Sequence, residues 1–320
     1  MLSRVAERVY WMARYVERAE NTARMVRAFS LLALDMPKSA QLSWRGLVSV
    51  TGHDAEFEAH YQREDERNCV KFLLADADNP GAVLSSLRKA RENVRTTRDL
   101  VPSEAWEVMN ELFLFARDHI DQGITKRGRF EFLSEVIERC QMLTGLLAGS
   151  MSHDAAYDFI RLGRNLERAD MTTRQVDVGA LRLLKREDDE TARPYEGLLW
   201  TSILRSEGGF QMYRLHVKRR INGPDVVRFL LQDTAFPRAV AHALTEVQAA
   251  LERLPRNEMP LRLVTQARRH ALNADIDELI GEDTLHEFLE TLQQDVAELH
   301  GANVRTWFQF PENAPAPDVA

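Results

Sequence analysis

Two segments place arginine and glutamate at helical spacing in a pattern suited to anion chemistry. Residues 14–24 read RYVERAENTAR and residues 164–174 read RNLERADMTTR. At helical geometry Arg14, Glu17, Arg18, Asn21 and Arg24 share about a third of the circumference. Arg164, Glu167, Arg168 and Arg174 do the same in the second segment. Guanidinium groups so arranged hold a carboxylate or phosphate through paired hydrogen bonds, while the glutamates orient them or accept a proton. A third stripe, Arg88, Arg91, Glu92, Arg95 and Arg98, has the same spacing with the central Glu and Arg exchanged. If these helices face one another, Glu17 meets Arg91 and Arg18 meets Glu92.

A structural role fits the same spacing. Exposed ion pairs stabilise by only about 0–1 kcal/mol, so a solvated face gives two segments little reason to keep one pattern. A buried network is the stronger structural alternative, because removing one partner of a buried pair costs about 3–5 kcal/mol. The remaining candidates are weaker. There is no Gly-rich phosphate loop. His53, His60, His153, His216, His242, His270, His286 and His300 are scattered without metal-ligand spacing, so no metal site is expected. Ser85-Ser86 has no evident base beside it. Asp76 and Asp233 read as turn-tying residues, His153-Asp154 as a helix start, and the basic run at 216–220 as a solvated helix end.

The elements that must carry these stripes are helices. Apolar residues recur at three- and four-residue spacing over most of the chain. The pattern predicts helices at about 2–34, 43–62, 68–77, 80–99, 103–125, 129–149, 152–186, 195–220, 224–232, 237–254, 260–279 and 283–308, with Gly208-Gly209 a helix interruption. Asn79-Pro80 and Asn222-Gly223-Pro224 read as capped helix starts. Small residues at Ala13/Gly163 and Ala19/Ala169 would let a neighbouring helix come close.

The two Arg/Glu segments match at six of eleven positions. Residues 72–87 (FLLADADNPGAVLSSL) match 229–244 (FLLQDTAFPRAVAHAL) at eight of sixteen. Between the blocks, Trp44, Gly52, Phe57 and His60 keep the mutual spacing of Trp200, Gly208, Tyr213 and His216. Unrelated segments give roughly one identity in sixteen. The expected fold is therefore all-α, a helical bundle of two diverged tandem repeats of one multi-helix unit, residues 1–150 and 151–310, packed as one domain or two. Residues 311–320, rich in Pro and Ala, read as a disordered tail.

With 320 residues, 28% charged and 44% apolar, the chain can bury a large core. Its net charge of −7 argues against nucleic-acid binding. The two cysteines, Cys69 and Cys140, build neither a disulfide framework nor a zinc site. No apolar run reaches the roughly 18 residues of a membrane span, and the first residues do not read as a signal peptide. A cytoplasmic location follows as the expectation.

The opening MLSRVAERVYWMARYVERAENTAR, the middle LSSLRKARENVR and the later RLGRNLERADMTTR resemble the Alpha-E domain family, a bacterial all-helical family named for its Glu-Arg motif. The resemblance runs from residue 1 to about 310, with Leu2-Ser3-Arg4 and Tyr10-Trp11 at the family's usual places and Val5-Ala6-Glu7-Arg8 departing from its usual run. It implies a component of an ATP-grasp-type amide or peptide ligase system, with a transglutaminase-like peptidase in the same systems. ATP and Mg are then expected on the partner, with no cofactor bound directly here. The family's motifs carry over to Glu17-Arg18, Glu167-Arg168 and Ala90-Arg91-Glu92-Asn93-Arg95. In that role Arg14, Arg18, Arg88, Arg91, Arg164 and Arg168 would bind negative charge, and Glu17, Glu92 and Glu167 would orient them. Two rivals remain: an interaction module with purely structural Arg-Glu networks, and an independent enzyme on a small anionic substrate.

Overall fold

A computed structural model of the chain describes residues 3–36, 42–184 and 195–309, and the side chains of 180–184 are outside that description. The segment 311–320, expected to be disordered, also lies outside it. The described residues are helical throughout and include no strand. In chain order the helices are α1 (Ser3–Asp35), α2 (Arg45–Thr51), α3 (Asp54–His60), α4 (Glu66–Leu74), α5 (Val83–Arg95), α6 (Ser103–Asp118), α7 (Ile120–Ile124) and α8 (Lys126–Ser150). They continue as α9 (Ala155–Leu184), α10 (Glu196–Ser206), α11 (Phe210–His216), α12 (Gly223–Gln232), α13 (Val240–Leu251), α14 (Glu258–Asn273), α15 (Ile276–Gly281) and α16 (Leu285–Asn303), which ends in a π-helical turn, Val304–Phe308.

Two long helices form the axis. The 33 residues of α1 span about 50 Å at helical rise. Contacts between α1 and α9 advance in step, Tyr10 with Gly163 and Arg18 with Glu167, so the two helices run side by side in one direction. A Cβ on Gly163 would sit 2.3 Å from the Tyr10 carbonyl oxygen, closer than any side chain tolerates. The small residue expected at this crossing is required there.

The remaining helices wrap this pair in two matching sets. On one side α1 packs against α5 and α8, and α6 bridges those two; on the other α9 packs against α13 and α16, and α14 bridges them. Each axial helix also takes one short helix from the other set: α10 packs on α1 and α2 on α9. The middle of α1 is therefore enclosed on every side. Met12, Val16, Ala19, Ala23 and Val26 are buried, and so are Arg14, Glu17, Glu20 and Arg24. Charges in such a position must be paired, because an uncompensated buried charge is prohibitively costly.

The interruption expected at Gly208-Gly209 is present, and three other predicted helices break where they were read as continuous. The stretch 43–62 divides at Gly52 (φ 69°) and 195–220 at Gly208 (φ 66°), left-handed positions that glycine adopts without strain. Likewise 103–125 and 260–279 each split in two, at His119 and around Ala274. Asn79 is not the helix cap it resembles. Its side chain donates to the Phe72 carbonyl and accepts from Gly81 N–H, closing a turn before α5. Asn222 does cap α12 through Asp225 N–H, and Asp154 receives the first N–H groups of α9. Asp76 and Asp233 tie their turns as expected.

Candidate functional site

Glu17 and Glu167, both 1% exposed, stand at the centre of the α1–α9 contact. The bonding across it is reciprocal. Arg18 grips Glu167 with two nitrogens, at 2.5 Å and 3.0 Å, and Arg168 donates to Glu17 at 2.8 Å. Arg14 adds a second cation to Glu167 at 2.7 Å, while Arg238 adds one to Glu17 at 2.8 Å. Burial pulls the Glu167 carboxyl upward, but Arg18 and Arg14 outweigh it and hold it at about 2. Glu17 is likewise held well below the usual carboxylate range, burial being overcome by Arg168 and Arg238. Both stay ionised at neutral pH and are poor proton acceptors. Arg164 is partly buried, and that burial together with the neighbouring Arg168 pushes its guanidinium downward.

One turn further along, the two sides diverge. On the α1 side, Glu20 accepts from Arg24 and from Arg238, both at 2.8 Å, and Arg238 also donates to Asn21. Arg238 is buried, and its backbone carbonyl accepts from Thr172 at 2.9 Å. Glu207 lies against this cluster, fully buried. Burial raises its carboxyl to about 7 against the opposing pull of Arg238 and Arg24. This corner is sealed.

The α9 side has the same opening residues and a different filling. Asp170 accepts from Arg174 at 3.0 Å, as Glu20 does from Arg24. Arg174 Nη1 stands 3.1 Å from the Cβ position of Gly52, and Arg24 Nη1 stands 3.1 Å from that of Gly208. The matched blocks align Arg238 with Gly81, Glu207 with Thr51, and Gly209 with His53. Where the first corner holds the Arg238 side chain, the second has none, and a cavity of about 200 Å³ opens there. Arg18, Thr22, His53, Glu167, Asp170 and Arg174 reach it. Burial and the nearby Arg18 and Arg174 depress His53, partly opposed by its contact to Thr51, so its ring is neutral at pH 7. Among the described residues, buried Thr22 Oγ1 and His53 Nδ1 have no hydrogen-bond partner. Polar groups so placed are ordinarily satisfied, by protein, water or ligand.

The sequence-predicted residues thus fall into two groups. Arg14, Glu17, Arg18, Arg24, Arg164, Glu167, Arg168 and Arg174 meet along one axis. The third stripe does not join them. Val83, Leu87, Ala90 and Val94 form the buried face of α5, so its charges point away from the axis. Arg91 donates to Asn110 on α6 and lies over Trp106 and Phe113, Arg98 lies over Trp106, and Arg95 pairs with Glu92 in the open. Glu17 therefore does not meet Arg91, nor Arg18 Glu92. Sequence reading also passed over Arg238, Glu207, Thr22 and Gly81. Among the described residues no cluster of three or more His, Cys, Asp or Glu could hold a metal ion, and no helix is long and apolar enough to cross a membrane.

Comparison with known proteins agrees with the resemblance. The Alpha-E model, described as a predicted alpha-helical domain with a conserved ER motif, matches residues 1–308. Proteins of Mycobacterium bovis and of two strains of Mycobacterium tuberculosis, all carrying the name "uncharacterized protein", are 23% identical over 297 residues. That alignment takes in 86% of this chain and 33% of each relative, so the chain spans about a third of the length of the curated relatives it matches. No solved structure matches it.

Proposed function

The chain belongs to the Alpha-E family, and from that premise we propose that it is the non-ATP-binding helical component of an ATP-grasp-type amide or peptide ligase system. It offers the ligase a docking surface and presents an Arg/Glu-lined pocket to an anionic group of the substrate. The observation that carries this reading is the open corner: a polar cavity edged by Arg18 and Arg174, bordered by the unpaired polar atoms of buried Thr22 and of His53. Joining a carboxylate to an amine passes through acyl-phosphate and tetrahedral anions, which fixed guanidinium donors stabilise without reorganising. The relatives, three times as long as the matched region, support a unit that works with further protein parts. ATP and Mg belong to the partner in this scheme, and a transglutaminase-like peptidase is a second candidate associate. A cytoplasmic setting and descent of both halves from one duplicated unit complete the proposal; the matching packing of α1 and α9 supports the duplication.

The purely structural reading draws on the sealed corner, whose carboxylates are all buried against arginines. Native purification at moderate salt, with bound proteins identified by mass, tests the ligase reading. An ATP-grasp protein in stoichiometric amount is expected, and a chain recovered alone overturns it. Arg18→Met then separates the two readings. Loss of ligase activity with a nearly unchanged melting transition supports the pocket, and loss of the fold supports the structural role.

A further inference from the structure

The sealed corner shows what the open one lacks. Relative to the α9 side, the α1 side holds one additional carboxylate, Glu207 in place of Thr51, and one additional guanidinium, Arg238 in place of Gly81. Their sequence counterparts, Thr51 and Gly81, both line the cavity on the α9 side. The contacts of Glu207 and Arg238 define two subsites. The cation is received by Glu20, which also holds Arg24; in the open corner Asp170 holds Arg174 in the same way and, among the described residues, pairs with no second cation. The Glu207 carboxyl lies beside Thr172, whose hydroxyl donates to the Arg238 carbonyl, and beside the Arg24 guanidinium. Their counterparts are Thr22, whose buried hydroxyl is unpaired among the described residues, and Arg174, which borders the cavity.

We propose that the open corner binds a small zwitterion, one carboxylate and one protonated amine or guanidine close together, of which a free α-amino acid is the simplest case. The proposal rests on the pocket described under Proposed function and names what occupies it. The carboxylate lies against Thr22 and Arg174, and the cation against Asp170. A cavity of about 200 Å³ suits a molecule of amino-acid size. A cation alone adds to the one-charge excess of Arg14, Arg18 and Arg174 over Glu167 and Asp170, and an anion alone offers Asp170 no partner; the zwitterion gives each subsite its counterpart.

Calorimetric titration of the full chain with glycine, L-alanine and L-arginine, beside acetate, phosphate and methylamine at fixed ionic strength, tests this. At least one amino acid is expected to bind tenfold or more tightly than any singly functional probe. Thr22→Val, which removes an unpaired hydroxyl and keeps the shape, weakens that binding about fivefold with no loss of melting temperature. Rebuilding the sealed corner with Thr51→Glu, His53→Gly and Gly81→Arg abolishes it; the histidine is removed because a Cβ at Gly81 would meet His53 Cε1 at 2.9 Å. Acetate or phosphate binding as tightly as every amino acid overturns the zwitterion and leaves an anion pocket. No amino acid binding, or binding unaffected by Thr22→Val, also overturns it. The ligase reading fails separately, through the absence of an ATP-grasp partner from the native preparation.

Discussion

The two corners flanking the α1–α9 contact are built from matched sequence and end in opposite states. On the α1 side every carboxylate has at least one arginine facing it, and Arg238 alone serves Glu17, Glu20 and Asn21. On the α9 side Gly81 takes the place of that arginine, and the same scaffold leaves a cavity. The difference teaches that one Arg/Glu pattern can be closed in one place and border a cavity in another, according to whether a third chain segment brings its own guanidinium. Stability should therefore respond unequally to equivalent substitutions. Arg238→Met leaves the buried Glu17 and Glu20 underpaired, at a cost of about 3–5 kcal/mol. Arg174→Met, at a one-third-exposed side chain with a single 3.0 Å bond, costs about 0–1 kcal/mol. Chemical denaturation of both variants measures the contrast, and equal losses would erase the distinction between the corners.

Glu207 provides a second contrast, because it gives the sealed corner a pH response. Its carboxyl is raised to about 7 by burial, against opposition from Arg238 and Arg24. The native state therefore holds this proton where the unfolded chain, titrating near 4.5, has released it. Stability from this group is complete below the unfolded value, falls as pH rises to about 7, and is level above that. Glu207→Gln should match the parent near pH 4.5 and exceed it by up to about 3 kcal/mol at pH 8. Glu167, held at about 2, works in the other direction: its contribution is present above the unfolded value and is lost as pH falls toward 2. Unfolding curves from pH 2 to 8 separate the two, and a pH-independent difference between Glu207→Gln and the parent would contradict the assignment.

Much of this was legible before the structure. Helical spacing placed Glu17 and Arg18 on one shared helix face and Glu167 and Arg168 on another, and Gly163 was read as a close-approach position because a missing Cβ has that direct consequence. The breaks at Gly52 and Gly208 were harder. Apolar spacing continues across them, and only Gly208-Gly209 advertised an interruption. The partner of each stripe was not legible, since spacing sets a face and not what faces it; the stripe on α5 was thus assigned to the axis when its apolar residues were the ones facing inward. Arg238 did leave a trace. In the matched blocks FLLADADNPGAV and FLLQDTAFPRAV, glycine at 81 stands opposite arginine at 238, a difference of a whole charged side chain at one aligned position. Its importance depends on Glu17 and Glu20, more than 200 residues away in sequence, and only the fold brings them together.

The α5 stripe has the spacing of the axial stripes without their burial, so it isolates what burial contributes. Glu92 and Arg95 form a bidentate pair at 2.6 Å and 2.9 Å, shorter than several bonds in the core, yet both side chains are about half exposed. Water screens and competes for such a pair, and ordering two long side chains offsets what the contact returns. Arg95→Ala should leave the melting transition where it is, within the error of the measurement, at both low and high salt. Binding of amino-acid probes should also be unchanged, because Arg95 lies outside the cavity. Partner capture is the informative readout. A loss of the ligase partner with the fold and probe binding intact would make the exposed face of α5 the docking surface, and would give the third stripe a function by a route in which pairing plays no part.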